Sequence, residues 1–313
     1  MNGKNILITG ANGYIGSSVV GALEKYSCRL FLVSRAGGRS KKNYIHIKAD
    51  ITKRSVWKTV LKDIDLVYHF AAQTSSQFAN RYPYEDLKTN VLPVVHLIET
   101  CQKYDLSPDI IFSGAVTETG LTDGGKISED RTDLPITVYD IHKLTAEKYL
   151  QYYSNQLGRR ATILRLPNIY GPGPASSKPD RGITNMMIKK AIKGEPIKIY
   201  GDGHYTRDYL YIDDVVDAFL KASINIEKTK GKYYVLGTDI GHTILEMATA
   251  IKKETEATTR KKVKILFAPF PKNTSRIEYR NFTADSSKFK KDTGWSAKIS
   301  LAEGIRKTIK YFL

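Results

Sequence analysis

Short apolar runs alternate with helically patterned segments through the first half of the chain. Asn5-Ile6-Leu7-Ile8-Thr9 is an apolar run that stops at a glycine, as a buried parallel strand does. A helical pattern follows through Val19, Val20 and Leu23, and then a second run, Arg29-Leu30-Phe31-Leu32-Val33. A third strand is expected to end at Ala49-Asp50-Ile51, a helix near Val56 to Leu61, and a fourth strand over Asp65-Leu66-Val67-Tyr68-His69-Phe70. Val91, Val94, Val95 and Ile98 recur at helical spacing from about Asn90 to Tyr104. Ile110-Ile111-Phe112-Ser113 and Ala161-Thr162-Ile163-Leu164-Arg165-Leu166 read as further strands, flanking a helix from Tyr139 to about Gln156. Strands alternating with helices predict an α/β fold, a doubly wound parallel sheet with helices on both faces. Pro167 to Pro174 breaks the pattern, and a smaller, interleaved C-terminal lobe is expected beyond it. The expected division is 1–167 for the first domain, with 205–237 returning to it, and 168–313 for the lobe. The polar stretch from Lys252 to Lys264 reads as a solvated helix end and loop.

Two local patterns carry chemistry. Gly10-Ala11-Asn12-Gly13-Tyr14-Ile15-Gly16 lies between the first strand and its helix, where glycines permit a tight turn and close approach to a pyrophosphate. Its spacing is Gly-x-x-Gly-x-x-Gly. Tyr139-Asp140-Ile141-His142-Lys143 places a phenol and an ammonium one helical turn apart. The ammonium favours the phenolate, and a phenol that exchanges a proton near neutral pH suits hydride chemistry at a carbinol or carbonyl carbon. The second strand ends in Ser34-Arg35 with no Asp or Glu, and Arg39, Lys41 and Lys42 follow. An arginine there accommodates the 2′-phosphate of NADP(H), whereas NAD recognition uses a carboxylate.

Composition narrows the partners. The 313 residues include 49 Lys and Arg against 32 Asp and Glu, a formal charge of +17, with 41% hydrophobic residues. Such a charge suits an anionic ligand. The basic residues are scattered and no nucleic-acid motif accompanies them, so the charge reflects attraction for phosphorylated small molecules or simply a lysine-rich proteome, and nucleic acid is not expected. Cys28 and Cys101 fit neither a metal nor a disulfide framework. No signal peptide precedes Ile6 and no apolar stretch approaches about 18 residues, so a cytoplasmic protein without a membrane partner is expected.

Gly10/Gly13/Gly16, Ala71-Ala72, Tyr139/Lys143, Arg165-Leu166-Pro167-Asn168-Ile169-Tyr170-Gly171-Pro172 and Arg207-Asp208-Tyr209-Leu210-Tyr211-Ile212-Asp213-Asp214-Val215 fall in a familiar order. Over nearly its whole length the chain resembles extended short-chain dehydrogenase/reductases, the NAD(P)-dependent nucleotide-sugar epimerase/dehydratase family. Asp180-Arg181-Gly182-Ile183, the run from Ile188 to Pro196, and Thr137 to Leu144 look most like the 4-ketoreductases of deoxysugar biosynthesis. The resemblance implies a Rossmann-type fold. It implies NADP(H)-dependent reduction of the C4 keto group of a nucleotide-linked 4-keto-6-deoxyhexose, with NAD(H) as the other cofactor. A redox-neutral 4-epimerase and a non-catalytic dinucleotide-binding regulator are the alternatives. It also implies a homodimer built on the Asn90 and Tyr139 helices.

By the same resemblance Gly10, Asn12, Gly13, Tyr14, Ile15 and Gly16 cradle the cofactor, with Ser34, Arg35, Asp50 and Ile51 at its adenosine end. Ala71, Ala72 and Gln73 line it, Tyr139 is the acid/base, and Lys143 is its modulator and a ribose ligand. Asn168 and Arg207 contact the substrate, with Arg181, Asn185 and Tyr200 as further contacts. The family places a catalytic hydroxyl on the strand before the tyrosine helix; counting back from Gly120, that position is Ala115. Thr117 is the expected substitute, with Ser113 behind it. Ala115-Val116-Thr117 lacks the carboxylates a 4,6-dehydratase uses, which argues against that activity.

Overall fold

The first apolar run forms β1, Asn5–Thr9, in which Ile6, Leu7 and Ile8 are wholly buried because the strand is covered on both faces. The computed structural model describes residues 1–40, 42–174, 182–272 and 274–313. Six more strands lie parallel to it: β2 (Arg29–Ser34), β3 (Tyr44–Lys48), β4 (Leu66–His69), β5 (Asp109–Ala115), β6 (Ala161–Leu166) and β7 (Tyr233–Val235). Their order across the sheet is β3-β2-β1-β4-β5-β6-β7. Successive residues point to opposite faces, so Ile6 and Ile8 enter one apolar layer with Val19, Phe219 and Trp295. Leu7 enters the other with Trp57, Ile98 and Tyr153. The winding direction reverses between β1 and β4, and the crevice at their C-terminal ends is where open α/β sheets bind ligands.

Beyond β6 the chain builds a second layer of small sheets. Asn168–Tyr170, Thr206–Tyr211 and Gly241–Thr243 form one, and Ile197–Tyr200 pairs with Ile265–Ala268. Asn281–Ala284 returns to pair with Asp123–Ile127, close behind β5. The Asn281 side chain also accepts the Thr206 amide at 2.8 Å, which ties this late segment to the Arg207 strand.

Three boundaries differ from the sequence expectation. β3 stops at Lys48, which leaves Asp50 and Ile51 in the following turn. The helix expected from about Asn90 to Tyr104 is Leu92–Lys103, with Pro93 in its first turn, where a missing N–H costs nothing, and a separate helix, Pro83–Asn90, precedes it. The stretch from Lys252 is mostly helix, since Ile244–Thr259 runs through it and Arg260 closes it. Met247, Ile251 and Thr255 are buried four residues apart, and Thr255 hid the stripe by being polar.

The turn after β1 is sterically closed to side chains. Gly10 has φ +69°, and a Cβ there would stand 2.7 Å from the Ala71 nitrogen. Gly10→Ala is expected to lower stability by about 2–4 kcal/mol, from left-handed backbone strain plus the overlap. A urea melt with an unchanged slope and an unmoved midpoint would contradict it.

Candidate active site

The crevice at β1 and β4 is lined first by backbone. Gly13 caps the Tyr14–Leu23 helix with no side-chain hydrogen bond to the first-turn amides. A Cβ at Gly16 would lie 2.3 Å from the Gly10 carbonyl oxygen, and one at Gly13 3.1 Å from it. Exposed amides at a helix N-terminus, approached over bare glycine, fit the pyrophosphate of a dinucleotide. Half-buried Ile15 lies in the first turn. Asn12 Nδ2 donates to Ser34 Oγ and to the Gly37 carbonyl, both at 3.0 Å, and so holds the end of β2. Arg35 follows on the surface and lies near Asp50. Burial pushes the Asp50 carboxyl up, but the Thr52 amide and hydroxyl, with Lys53 and Arg35, hold it below its ordinary value. Ile51 is buried and its carbonyl accepts the Trp57 indole N–H at 2.9 Å.

Two expected cofactor contacts have their polar atoms committed elsewhere. Tyr14 donates its hydroxyl to the Gly171 carbonyl at 2.9 Å, so its side chain braces the loop after β6. Gln73 donates to the Ser75 carbonyl at 2.8 Å and to Asp86 at 2.5 Å, while its carbonyl oxygen accepts the Ser75 amide. Ala71 and Ala72 remain half-buried at the crevice, with the Ala71 amide donating to Thr9 Oγ1 at 3.2 Å. Thr9 in turn meets His69 Nδ1 at 3.0 Å. Burial, and then the Lys143 charge, push the His69 pKa down to about 3, so its ring is neutral.

Tyr139 and Lys143 sit on the Val138–Asn155 helix, whose start is fixed by Thr137 accepting the Asp140 amide at 3.2 Å. Tyr139 is half-buried in the first turn, and Lys143 is 2% exposed. Lys143 Nζ donates to the Ser113 carbonyl at 2.5 Å and lies 3.9 Å from the centre of the Phe112 ring. Burial pushes its pKa down to about 8, against the pull of Glu118, Asp86 and Glu147. The two hydroxyl candidates point their protons inward. Thr117 donates to the buried Asp140 carboxylate, and Ser113 donates to the His69 carbonyl at 3.4 Å. Ala115 closes β5 with only a methyl group.

Behind Lys143 lies a buried charge cluster. Arg165 on β6 donates to both oxygens of Asp133 at 2.5 and 2.8 Å and to both of Glu147 at 2.9 and 2.8 Å. Glu118 is the third carboxylate on it, 3.2 Å from Nε. A second network holds the helix from the other side. His142 Nδ1 meets Asp86 at 2.7 Å, and Asn90 donates to Asp86 and to the Gln73 carbonyl, each at 3.0 Å.

On the facing lobe Arg207 is 3% exposed. It donates to the carbonyls of Thr206 at 3.0 Å, Glu278 at 2.7 Å and Arg280. Its carboxylate neighbour, Glu278, stands 3.9 Å off and is half exposed. Burial, and then the Arg280 charge, push its pKa down to about 9. Arg280, which the sequence pattern does not single out, is itself buried and donates to Asn168 Oδ1 at 3.3 Å. Asn168, Arg207 and Arg280 therefore form one group. Asn185 bonds the Gly171 backbone through both ends of its amide, at 3.1 and 2.8 Å, and so shapes that loop. Tyr200 is 41% exposed beside Phe270, in an aromatic group with Tyr205 and Tyr279. Arg181 lies outside the described residues. Among the described residues no His/Cys/Asp/Glu group could hold a metal, and no helix is long and apolar enough to cross a membrane.

Residues 6–237 match the model of the NAD dependent epimerase/dehydratase family. A UDP-glucose 4-epimerase of Mycolicibacterium smegmatis is 28% identical over 98% of this chain and 97% of its own. The crystal structure of a Thermotoga maritima UDP-glucose 4-epimerase with UDP-glucose is 30% identical, with a TM-score of 0.85 and 98% of each chain covered. A Thermus thermophilus UDP-glucose 4-epimerase in complex with NAD is 25% identical, with a TM-score of 0.85 over 98% of each chain.

Replacing Arg165 leaves the buried carboxylates of Glu118 and Glu147, and the half-buried one of Asp133, without their shared cation. Arg165→Met is expected to cost about 3–5 kcal/mol at neutral pH. Burial and then Glu147 hold the Glu118 carboxyl above its ordinary value, and without Arg165 it protonates more readily still than in the unfolded chain, so the penalty shrinks toward about pH 4 and grows as pH rises. Denaturation at acid and neutral pH reads this out; a pH-independent loss would contradict it.

Proposed function

The chain belongs to the NAD-dependent epimerase/dehydratase family, and we propose that it inverts C4 of a nucleoside-diphosphate-linked hexose without net redox change. The observation that carries the diphosphate is Arg207, a buried guanidinium whose partners are carbonyl oxygens and one distant carboxylate. Arginine's planar fork matches phosphate oxygens, and a diphosphate would supply the missing counter-charge. The end-to-end likeness to UDP-glucose 4-epimerases favours epimerisation and a uridine nucleotide. It replaces the 4-ketoreductase as the preferred reading.

In this reading a bound dinucleotide would supply reversible hydride chemistry at C4. Gly10, Gly13 and Gly16 would hold its pyrophosphate against the helix N-terminus. Tyr139, as phenolate, takes the proton of the C4 hydroxyl, and the Lys143 ammonium stabilises that phenolate. When the keto sugar presents its other face, Tyr139 gives the proton back to the oxygen. Ser113 and Thr117 direct their protons to His69 and Asp140, so Tyr139 is the donor to the reacting oxygen.

The ketoreductase reading keeps one observation in its favour: β2 ends without a carboxylate and Arg35 follows. The Thermus thermophilus UDP-glucose 4-epimerase that this chain resembles end to end is in complex with NAD, and that likeness outweighs Arg35. We take NAD as the cofactor. For the assembly we propose a second copy of the chain against the outer side of the Tyr139 helix, where Ile141, Tyr149 and Tyr152 are 46, 42 and 49% exposed.

Protein purified without added cofactor is expected to carry NAD and to interconvert UDP-glucose and UDP-galactose with no net NADH. Consumption of NADPH with a 4-keto sugar, and no epimerisation, would instead make it a reductase. Tyr139→Phe should lose about 10²–10⁴-fold in turnover while retaining dinucleotide. Arg207→Ala should weaken UDP binding about 10–100-fold, the loss of one or two charged hydrogen bonds. Unchanged affinity by calorimetry would remove the diphosphate assignment.

A further inference from the structure

Two side chains from different parts of the fold close on one peptide, that of Gly171. Its carbonyl oxygen accepts the Tyr14 hydroxyl at 2.9 Å and the Asn185 amide at 2.8 Å. Its N–H donates to the oxygen of the same Asn185 amide at 3.1 Å. Both lone pairs of the carbonyl and the one amide proton are thereby used. The loop is pressed close: a Cβ at Gly171 would stand 2.7 Å from Ile212, and one at Gly173 2.5 Å from the Tyr14 ring. Burial, opposed in part by Asn185, pushes the Tyr14 phenol above its ordinary range, so the hydroxyl keeps its proton and stays a donor.

Each arm of this clasp leads to a different ligand. Tyr14 lies in the first turn of the helix whose N-terminal amides face the dinucleotide crevice. Gly171 directly follows the strand Asn168–Tyr170, which pairs with the Arg207 strand and whose Asn168 accepts from Arg280. Asn185 stands in the first turn of the Ile183–Lys193 helix, which packs on Ile197–Tyr200, Ile244–Thr259 and Leu301–Phe312, all elements of the lobe. The Tyr14 hydroxyl therefore crosses from the cofactor turn to the lobe, and Asn185 holds the peptide that receives it. A primary amide suits that task because it offers a donor and an acceptor to the C=O and N–H of one residue.

We propose that Tyr14 and Asn185 are positioning residues that couple the two ligands: through the Gly171 peptide they set the turn that receives the dinucleotide against the lobe that receives the nucleoside diphosphate. The role rests on the reading of Arg207 as the diphosphate site. A ligand that orders one arm of the clasp lessens the freedom the other arm has left to lose. Each ligand then raises the affinity of the other, and by the same factor.

The test needs no chemistry, only binding. NADH is titrated by fluorescence into wild type, Tyr14→Phe and Asn185→Ala, with and without saturating UDP, and thermal melts confirm folding. In wild type UDP is expected to tighten NADH about fivefold or more. Tyr14→Phe keeps the ring against Gly173 and loses only the hydroxyl; Asn185→Ala loses both amide bonds. In each variant the factor is expected to fall to about one to two, whatever happens to NADH affinity without UDP. The double variant should lose no more of the factor than either single one, because both act on one peptide. A merely structural role would lower the melting temperature or both affinities and leave the factor intact. A factor unchanged in the variants, or absent from wild type, overturns the proposal. Calorimetry with UDP alone tells the two readings apart. If wild type does not bind UDP, the diphosphate reading fails and takes the coupling with it; if UDP binds and no factor is found, the coupling alone fails.

Discussion

An ammonium group inside the protein is the constraint from which the site's architecture follows. Lys143 is shut off from water, and an isolated buried cation would simply lose its proton. The chain supplies substitutes for hydration: the Ser113 carbonyl, the face of Phe112, and the field of Glu118, Asp86 and Glu147. Each carboxylate then needs its own partner. Glu147 is held by Arg165, whose remaining fork requires Asp133. Asp86 is held by His142, Asn90 and Gln73. One cation thus propagates hydrogen-bonding demands through β5, β6, the tyrosine helix, the loop after β4 and the Pro83–Asn90 helix. In a low-dielectric interior such a network is worth having only when every member is matched.

That dependence explains what a reader of the sequence recovers. Parallel strands buried on both faces are continuous apolar runs, so β1, β2, β4, β5 and β6 are visible within a residue or two. The glycine turn is legible because Gly10 and Gly16 have no room for a Cβ, and Tyr139 with Lys143 because helical spacing puts them on one face. The residues that complete the site have no such signature. Glu118, Asp86 and Arg280 are polar residues in short or irregular segments, joined to their partners only by the folded chain. Thr117 shows the opposite error: near enough in sequence to stand in for the absent hydroxyl, it is turned by the Val116–Thr119 helix toward Asp140. Gln73 and Tyr14 likewise stand beside the crevice and spend their polar atoms on its walls.

Two arginines show why burial has to be read together with partners. Arg165 and Arg207 each lie on a strand, each is nearly inaccessible, and each begins a run typical of the family. Arg165 is surrounded by carboxylates that more than match its charge, and its guanidinium is held well above its ordinary pKa range once their pull exceeds the cost of burial. Such a group is structural: no anion could be added beside Glu118, Asp133 and Glu147 without repulsion. Arg207 is held by carbonyl dipoles, with a second guanidinium near it, and burial depresses its pKa. Carbonyls orient a guanidinium without neutralising it, so its charge remains available to an incoming diphosphate. The fold keeps the two kinds of site apart. The saturated cation lies beneath the tyrosine helix, where a fixed charge balance serves proton transfer. The unsaturated one lies on the lobe that Asn281–Ala284 ties back to Asp123–Ile127, where substrate can complete it.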